Sequence, residues 1–172
     1  MCGIVGYIGQ RDCTDVLMDG LEKLEYRGYD SAGIAVFEKT GIKTVKTKGK
    51  LKDMREKLVK EGSPVGHCGI GHTRWATHGE PSDLNSHPHS NGRVTIVHNG
   101  IIENYIELKE FLTEKGYTFK SQTDSEIIAC LLDYYYSERN PLHAITETVK
   151  ELRGSYALGI IFRDFPDRVY AT

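Results

Sequence analysis

Apolar segments with strand and helix periodicities come in blocks along this chain, and no regular strand–helix–strand repeat connects them. Short apolar runs predict strands at 2–8, 31–37, 44–47, 68–73, 94–98, 156–162 and 168–172. Apolar residues three and four positions apart predict helices at 13–25, 51–58, 105–112, 127–135 and 141–152. This order is typical of an α+β fold rather than of a parallel α/β fold.

The composition predicts one soluble domain. At 172 residues the chain can bury about two-thirds of the surface that it exposes when unfolded. Its formal net charge of -2 gives no reason to expect a nucleic acid or an anionic membrane as a partner. The longest apolar stretches, such as 156–162, are far too short to cross a bilayer, and no secretory signal is recognisable. We therefore expect a cytoplasmic protein.

The cysteines and histidines do not have the spacing of a metal site. Four cysteines are scattered without a Cys-x-x-Cys pair, which favours reduced thiols over a disulfide framework. Six of the seven histidines lie between positions 67 and 98, but no two have the i, i+4 spacing of helical zinc ligands. We expect no metal, and strand and loop histidines that bind backbone groups.

Cys2 is the most informative single residue, because it directly follows the initiator methionine. Methionine is usually removed before a residue as small as cysteine, which would leave a thiol and a free α-amine on one residue. An adjacent amine can activate a nucleophile, and an α-amine pKa of roughly 7.7–8.0 suits a base near neutral pH. The alternative is that Cys2 merely begins a buried strand.

Four further polar segments stand out, at 25–33, 71–81, 98–100 and 123–126. Arg27-Gly28 fits a helix end with glycine at the C′ position. Asn99-Gly100 is the usual dipeptide of a type I′ hairpin, although a helix pattern follows it. Thr123 and Glu126 fit a capping box, with Asp124 in the first helical turn. Taken one at a time, these segments leave structural and functional explanations open.

Taken together, the segments resemble a known family. The N-terminal Cys2-Gly3-Ile4-Val5-Gly6 is followed in order by Arg-Gly-Tyr-Asp-Ser-Ala-Gly at 27–33, Gly-His-Thr-Arg-Trp-Ala-Thr-His-Gly at 71–79 and Asn99-Gly100. This set is similar to the class II glutamine amidotransferases, which are N-terminal-nucleophile (Ntn) hydrolases. Within the class, Tyr29-Asp30 and 75–78 resemble the branch that supplies nitrogen to fructose 6-phosphate for amino-sugar synthesis.

The resemblance implies an architecture and partners. The fold would be a four-layer αββα sandwich of two antiparallel sheets, and residues 1–172 would form a glutaminase domain whose C-terminal strands are missing. The substrate would be L-glutamine, with no cofactor. In the full-length enzyme, which we expect to be a homodimer, ammonia would pass to a sugar-phosphate isomerase half.

The resemblance also implies catalytic roles. Cys2 would attack the side-chain amide of glutamine, and its own amine would move the proton, through a water. The side-chain amide of Asn99 and the backbone N–H of Gly100 would stabilise the oxyanion, and Arg27 would shield the nucleophile.

A zwitterionic substrate needs a cation for its carboxylate and an anion for its ammonium group. Arg74 suits the carboxylate because a guanidinium can bind it bidentately. By resemblance, Asp124 would bind the ammonium group, and Thr77 and His78 would complete the pocket with Gly100. Residues 74–81 would form a mobile loop that closes over glutamine, with Trp75 near the ammonia exit. The alternatives are a non-catalytic glutamine-sensing module and the glutaminase domain of another class II amidotransferase.

Overall fold

A computed structural model of the chain describes residues 2–75, 80–137 and 139–172, apart from the side chain of Arg27. The helices in these ranges are α1 (Cys13–Leu24), α2 (Leu51–Glu61), α3 (Tyr105–Glu114), α4 (Asp124–Tyr135) and α5 (Pro141–Glu151). The strands are β1 (Gly3–Ile8), β2 (Ser31–Glu38), β3 (Gly41–Lys48), β4 (Cys68–Arg74), β5 (His89–Ser90), β6 (Val94–Ile102), β7 (Gly154–Phe162) and β8 (Tyr170–Ala171).

The strands form two antiparallel four-stranded sheets. The first has the order β1-β4-β2-β3, and the second has the order β5-β6-β7-β8. In the first sheet, His72 of β4 lies opposite Ile4 of β1 and Gly33 of β2. In the second sheet, Asn99 of β6 lies opposite Ala157 of β7.

The two sheets pack face to face, and helices cover the outer face of each. Apolar side chains fill the space between the sheets, namely Ala35, Phe37, Cys68, Ile70, Val97 and Ile161. Helices α1 and α2 share a core with β2 and β3, while α4 lies on β6 and packs against α3 and α5. These layers are the four-layer αββα sandwich that the sequence resemblance implies, and the α+β prediction is confirmed.

The alternation of side chains along a strand decides which residues face the space between the sheets. On β2, Ile34 belongs to the helix-covered core, whereas Ala35 faces the second sheet. Because β2 is buried on both faces, it reads as a continuous apolar run. On β4, Cys68 and Ile70 lie between the sheets, so the two-residue period places His72 and Arg74 on the same inner face.

Side-chain caps begin two of the helices near their predicted starts. The Asn140 side chain accepts a hydrogen bond from the His143 N–H at 3.1 Å, and Pro141 occupies the first turn of α5. Thr123 Oγ1 accepts from the Glu126 N–H at 3.4 Å at the start of α4. The capping box is only half formed, because the Glu126 carboxylate binds other backbone N–H groups, those of residues 120 and 121.

Element lengths differ from the predictions where backbone hydrogen bonds override the apolar pattern. Strand β3 runs from Gly41 to Lys48, longer than the predicted 44–47, because it pairs with all of β2. Strand β8 covers only Tyr170–Ala171, since the Arg168 N–H donates to the Phe165 carbonyl and residues 165–168 form a turn. Within the described ranges, none of the helices is long and apolar enough to cross a membrane.

Candidate active site

Cys2 lies directly before β1, beside the last residues of β4. Its Sγ accepts a hydrogen bond from the Trp75 N–H at 3.2 Å and lies 3.6 Å from the Trp75 carbonyl oxygen. The Cys2 side chain is half-buried, whereas those of Cys13, Cys68 and Cys130 are buried. Cys2 is therefore the accessible thiol of the four.

Asn99 and Gly100 lie inside β6 rather than in a hairpin turn. The predicted strand 94–98 continues to Ile102, and Gly100 pairs with Tyr156 in the ladder with β7. The type I′ hairpin explanation is therefore wrong. Gly100 has a φ of +132°, and a Cβ there would lie 2.1 Å from the Ser155 carbonyl oxygen. Only glycine fits this position, and the Asn99 amide reaches back to donate to the Cys2 carbonyl at 3.1 Å.

Arg74 and Asp124 bring opposite charges to one cleft. Both side chains are buried, and they line the cleft together with Cys2, Trp75 and Gly100. Burial lowers the pKa of Arg74, while the nearby Cys2, Asp30 and Asp124 act to raise it. A guanidinium nevertheless remains charged in proteins.

Asp124 is held by the backbone of β6. Its Oδ2 accepts a hydrogen bond from the Ile102 N–H at 3.0 Å, and its Oδ1 accepts from Ser125 Oγ at 3.4 Å. The side chain therefore lies in the first turn of α4, as the capping explanation requires, and also lines the cleft. The two explanations of Asp124 are compatible.

Four buried histidines lie against this cleft. The rings of His72 and His87 are 4.1 Å apart, and those of His87 and His89 are 4.8 Å apart. Burial lowers the pKa of His72 to about 3 and the pKa values of His87 and His89 well below their usual range. Burial also lowers the pKa of His98, although Asp124 opposes the shift. These rings are therefore neutral near pH 7.

The histidines differ from the sequence prediction in their partners. We expected backbone partners, and His72 Nε2 does bind the His98 carbonyl at 3.0 Å. However, His98 Nδ1 binds Ser125 Oγ at 2.9 Å, and His89 Nε2 binds the Thr123 hydroxyl at 3.1 Å. In the described part of the chain, no group of three or more His, Cys, Asp or Glu side chains could hold a metal ion.

Gly28 allows the backbone of residues 27–29 to approach the end of β4. A Cβ on Gly28 would lie 2.8 Å from the Arg74 carbonyl carbon and 2.9 Å from the Trp75 nitrogen. Its φ of -172° is extended, so the C′ explanation is wrong: a 3-10 turn at Glu25–Arg27 follows α1 instead. Next to this contact, the exposed Trp75 ring meets the Tyr29 ring edge-on at 5.4 Å.

The structure thus brings together the predicted Cys2, Arg74, Asn99, Gly100 and Asp124, with Trp75 at their edge. Of the other predicted residues, Met1, Thr77 and His78 lie outside the described residues, and so does the side chain of Arg27.

Sequence reasoning missed the roles of His72, His87 and Ser125 in this region. His72 contacts the Asn99 side chain, and the other two line the cleft. The available signal was the two-residue period of β4, which puts His72 on the same face as Arg74. No sequence signal connected His87 with Ser125, because their contact joins a loop to the start of α4.

The comparison with known families identifies the class of this domain. Residues 72–171 match the family model described as a glutamine amidotransferase domain. The chain belongs to this family, and the resemblance seen in its motifs is confirmed.

The curated relatives indicate which members of this class the chain resembles. The chain is 56% identical over 173 residues to the glutamine–fructose-6-phosphate aminotransferase [isomerizing] of Clostridium tetani, covering 99% of this chain and 28% of that protein. It is 58% identical to the protein of the same name from Clostridium perfringens, again with 99% and 28% coverage. The chain therefore spans about 28% of the length of these relatives.

Solved structures share the fold. The glutamine phosphoribosylpyrophosphate amidotransferase from B. subtilis superposes with a TM-score of 0.80 at 26% identity, covering 95% of this chain and 35% of that one. A class II glutamine aminotransferase domain protein from Silicibacter pomeroyi superposes with a TM-score of 0.69 at 15% identity, covering 100% of this chain and 76% of that one. At 15% identity, the likeness to the Silicibacter pomeroyi protein shows a shared fold alone.

Proposed function

We propose that this domain hydrolyses L-glutamine to glutamate and ammonia, with Cys2 as the nucleophile. The observation that carries the proposal is the common cleft of Cys2, Arg74 and Asp124. It combines a thiol, a cation and a buried carboxylate, which are the three groups needed to attack a side-chain amide and to hold both charges of an amino acid. The family membership of the chain supports the same reaction class.

Substrate binding follows from the two charges. Arg74 binds the α-carboxylate of glutamine through its guanidinium fork, and Asp124 binds the α-ammonium group. Both side chains are buried, so each ion pair forms in a region of low dielectric constant. Thr77 and His78 are proposed to complete this pocket with Gly100, by resemblance to the family.

The chemistry uses groups on Cys2 and on β6. With Met1 removed, the α-amine of Cys2 takes the thiol proton through a water, and Sγ attacks the amide carbon. The Asn99 amide and the Gly100 N–H stabilise the oxyanion. The C–N bond then breaks, and the amine returns the proton to the leaving ammonia. A water molecule, deprotonated by the same amine, hydrolyses the γ-glutamyl thioester, which releases glutamate and the free thiol.

The remaining roles come from the resemblance. Arg27 would shield the nucleophile, and Trp75 would lie at the exit for ammonia. The relatives are named glutamine–fructose-6-phosphate aminotransferases and are longer than this chain. In a full-length enzyme of this kind, the ammonia would reach a sugar-isomerase domain that binds fructose 6-phosphate. By resemblance to the family, we propose that the full-length enzyme is a homodimer. The four free cysteines support a reducing compartment such as the cytosol.

Glutamate release by the purified chain, after mass spectrometry has verified that it begins at Cys2, tests the proposal. The wild type should produce glutamate and ammonia in equal amounts. Cys2→Ala should abolish both products and still bind glutamine in calorimetry. Glutamine binding without turnover in the wild type would instead favour the sensing module, and turnover by Cys2→Ala would eliminate Cys2 as the nucleophile.

A further inference from the structure

His72 contacts the side chain of Asn99 across the gap between the sheets. His72 lies on the inner face of β4 and is fully buried. Its Nε2 lies 2.9 Å from Asn99 Oδ1 and 3.0 Å from the carbonyl oxygen of His98. A single ring nitrogen thus faces two oxygen atoms of neighbouring residues on β6.

The His98 carbonyl determines the tautomer of His72. A carbonyl oxygen can only accept a hydrogen bond, so Nε2 must carry the proton. The other nitrogen, Nδ1, is buried and has no hydrogen-bond partner among the residues that the structure describes. An unpaired N–H there would cost more than an unprotonated nitrogen, and burial lowers the pKa of the ring to about 3. His72 is therefore a neutral Nε2–H donor.

This donor determines the orientation of the Asn99 amide. The atom of Asn99 that faces an N–H group must be the acceptor Oδ1, so the NH2 group points the other way. The Cys2 carbonyl independently requires the same orientation, because Asn99 Nδ2 donates to it at 3.1 Å. The backbone carbonyls of Cys2 and His98 therefore require the same arrangement of the His72 and Asn99 side chains.

We propose that His72 is a positioning residue that keeps the NH2 group of Asn99 directed at the oxyanion formed on attack by Cys2. The inference rests on the proposed glutaminase function and adds a residue to it. Without the donor, the buried Oδ1 loses its partner and the amide gains freedom to flip. A flipped amide presents an oxygen to the developing oxyanion, which repels it.

His72→Leu removes the donor, and His72→Gln keeps an N–H donor at the end of its side chain. We expect His72→Leu to lower kcat about 10-fold to 100-fold with KM changed less than about twofold, since an oxyanion donor acts mainly in the transition state. His72→Gln should retain more of the turnover than His72→Leu. Equal losses of kcat in the two variants, or an unchanged kcat in His72→Leu, would overturn the inference.

A double-mutant cycle tests whether His72 acts through Asn99. In the Asn99→Ala background, His72→Leu should have little further effect on kcat, because no amide remains to be oriented. A full multiplicative loss would show that His72 acts by another route. The matched control is Ile70→Val, a buried change on the same face of β4. It should lower the melting temperature and leave kcat unchanged.

Two further results keep the inference separate from the proposed function. If neither the wild type nor Ile70→Val releases glutamate, the proposed function fails whatever His72 does. If His72→Leu does not fold, 15N NMR of the wild-type imidazole decides. The neutral Nε2–H tautomer at pH 7 is expected, and an Nδ1–H tautomer or an imidazolium would overturn the inference.

Discussion

Asn99 Nδ2 donates a hydrogen bond to the Cys2 carbonyl oxygen at 3.1 Å, across a sequence separation of 97 residues. Cys2 precedes the edge strand β1 of one sheet, and Asn99 lies on β6 of the other sheet. The proposed nucleophile and the proposed oxyanion donor therefore meet only because the sheets pack face to face. Apolar residues between the sheets, such as Phe37 and Val97, hold the two sheets together.

An electrophilic glutamine analogue should label Cys2 and leave the other three cysteines unmodified. Burial raises the pKa values of Cys13 and Cys130 to about 12 and that of Cys68 to about 11, so these thiols remain protonated near neutral pH. Peptide mapping by mass spectrometry checks the site. An adduct found mainly on another cysteine would contradict the assignment of the nucleophile.

Arg74→Lys and Asn99→Ala should change different kinetic constants. A lysine replaces the bidentate fork with a point charge, so KM should rise on the order of tenfold with a smaller change in kcat. Asn99→Ala should lower kcat by about 10²–10³ with a smaller change in KM. Steady-state kinetics on both variants check this, and an exchange of the two patterns would overturn both roles.

Retention of Met1 should abolish hydrolysis. The nitrogen of Cys2 would then be an amide, which has no useful basicity near neutral pH, whereas a free α-amine has a pKa of roughly 7.7–8.0. Homogeneous preparations that begin with Met1 and with Cys2, verified by mass spectrometry, give the comparison. Comparable turnover by both would refute the role of the amine.

Gly100→Ala should destabilise the fold more than Gly92→Ala. Both glycines have positive φ angles, +132° and +98°. A Cβ on Gly100 would lie 2.1 Å from the Ser155 carbonyl oxygen, whereas a Cβ on Gly92 meets no atom of the described residues within 4 Å. Gly92→Ala should cost about 1–2 kcal/mol of unfolding free energy from its backbone angles alone. Urea denaturation checks the order, and equal losses would show that the contact at Gly100 relaxes without cost.

The buried histidines should make the protein less stable as the pH falls below 6.5. Burial depresses the pKa of folded His72 to about 3 from an ordinary value of 6.5. Between these two values the unfolded chain binds more protons than the folded one, so stability decreases as the pH is lowered through this window. At pH 5.5 this shift of the His72 pKa costs about 1.4 kcal/mol of unfolding free energy. His87 and His89 shift in the same direction.

Unfolding free energies from urea titrations at pH 7.5 and 5.5 measure this dependence. His72→Gln should reduce the difference between the two values by about the share of one histidine, about 1.4 kcal/mol. The control is His143→Gln, since His143 is exposed at the start of α5. A difference that His72→Gln leaves unchanged would mean that His72 is not neutral in the folded protein.

Local patterns in the sequence were enough to predict most of the strands and helices and the residues proposed for catalysis and substrate binding. Periodicity located the helices at Cys13–Leu24 and Pro141–Glu151, because each buries one apolar face that recurs with the helical period. The order of the motifs around Cys2, Arg74 and Asn99 indicated the family before any contact was known, and the family model agrees.

Only the tertiary structure decided how those residues meet. The dipeptide Asn99-Gly100 has a strong local preference for a hairpin, but pairing with β7 keeps it inside β6. The tautomer of His72 and the orientation of the Asn99 amide depend on carbonyls from Cys2 and His98. Sequence by itself determined most of the strands and helices, because periodicity is local, whereas the two-residue strand β5 depends on its pairing with β6. The packing of two sheets determined the site, because its hydrogen bonds join residues that only long-range contacts bring together.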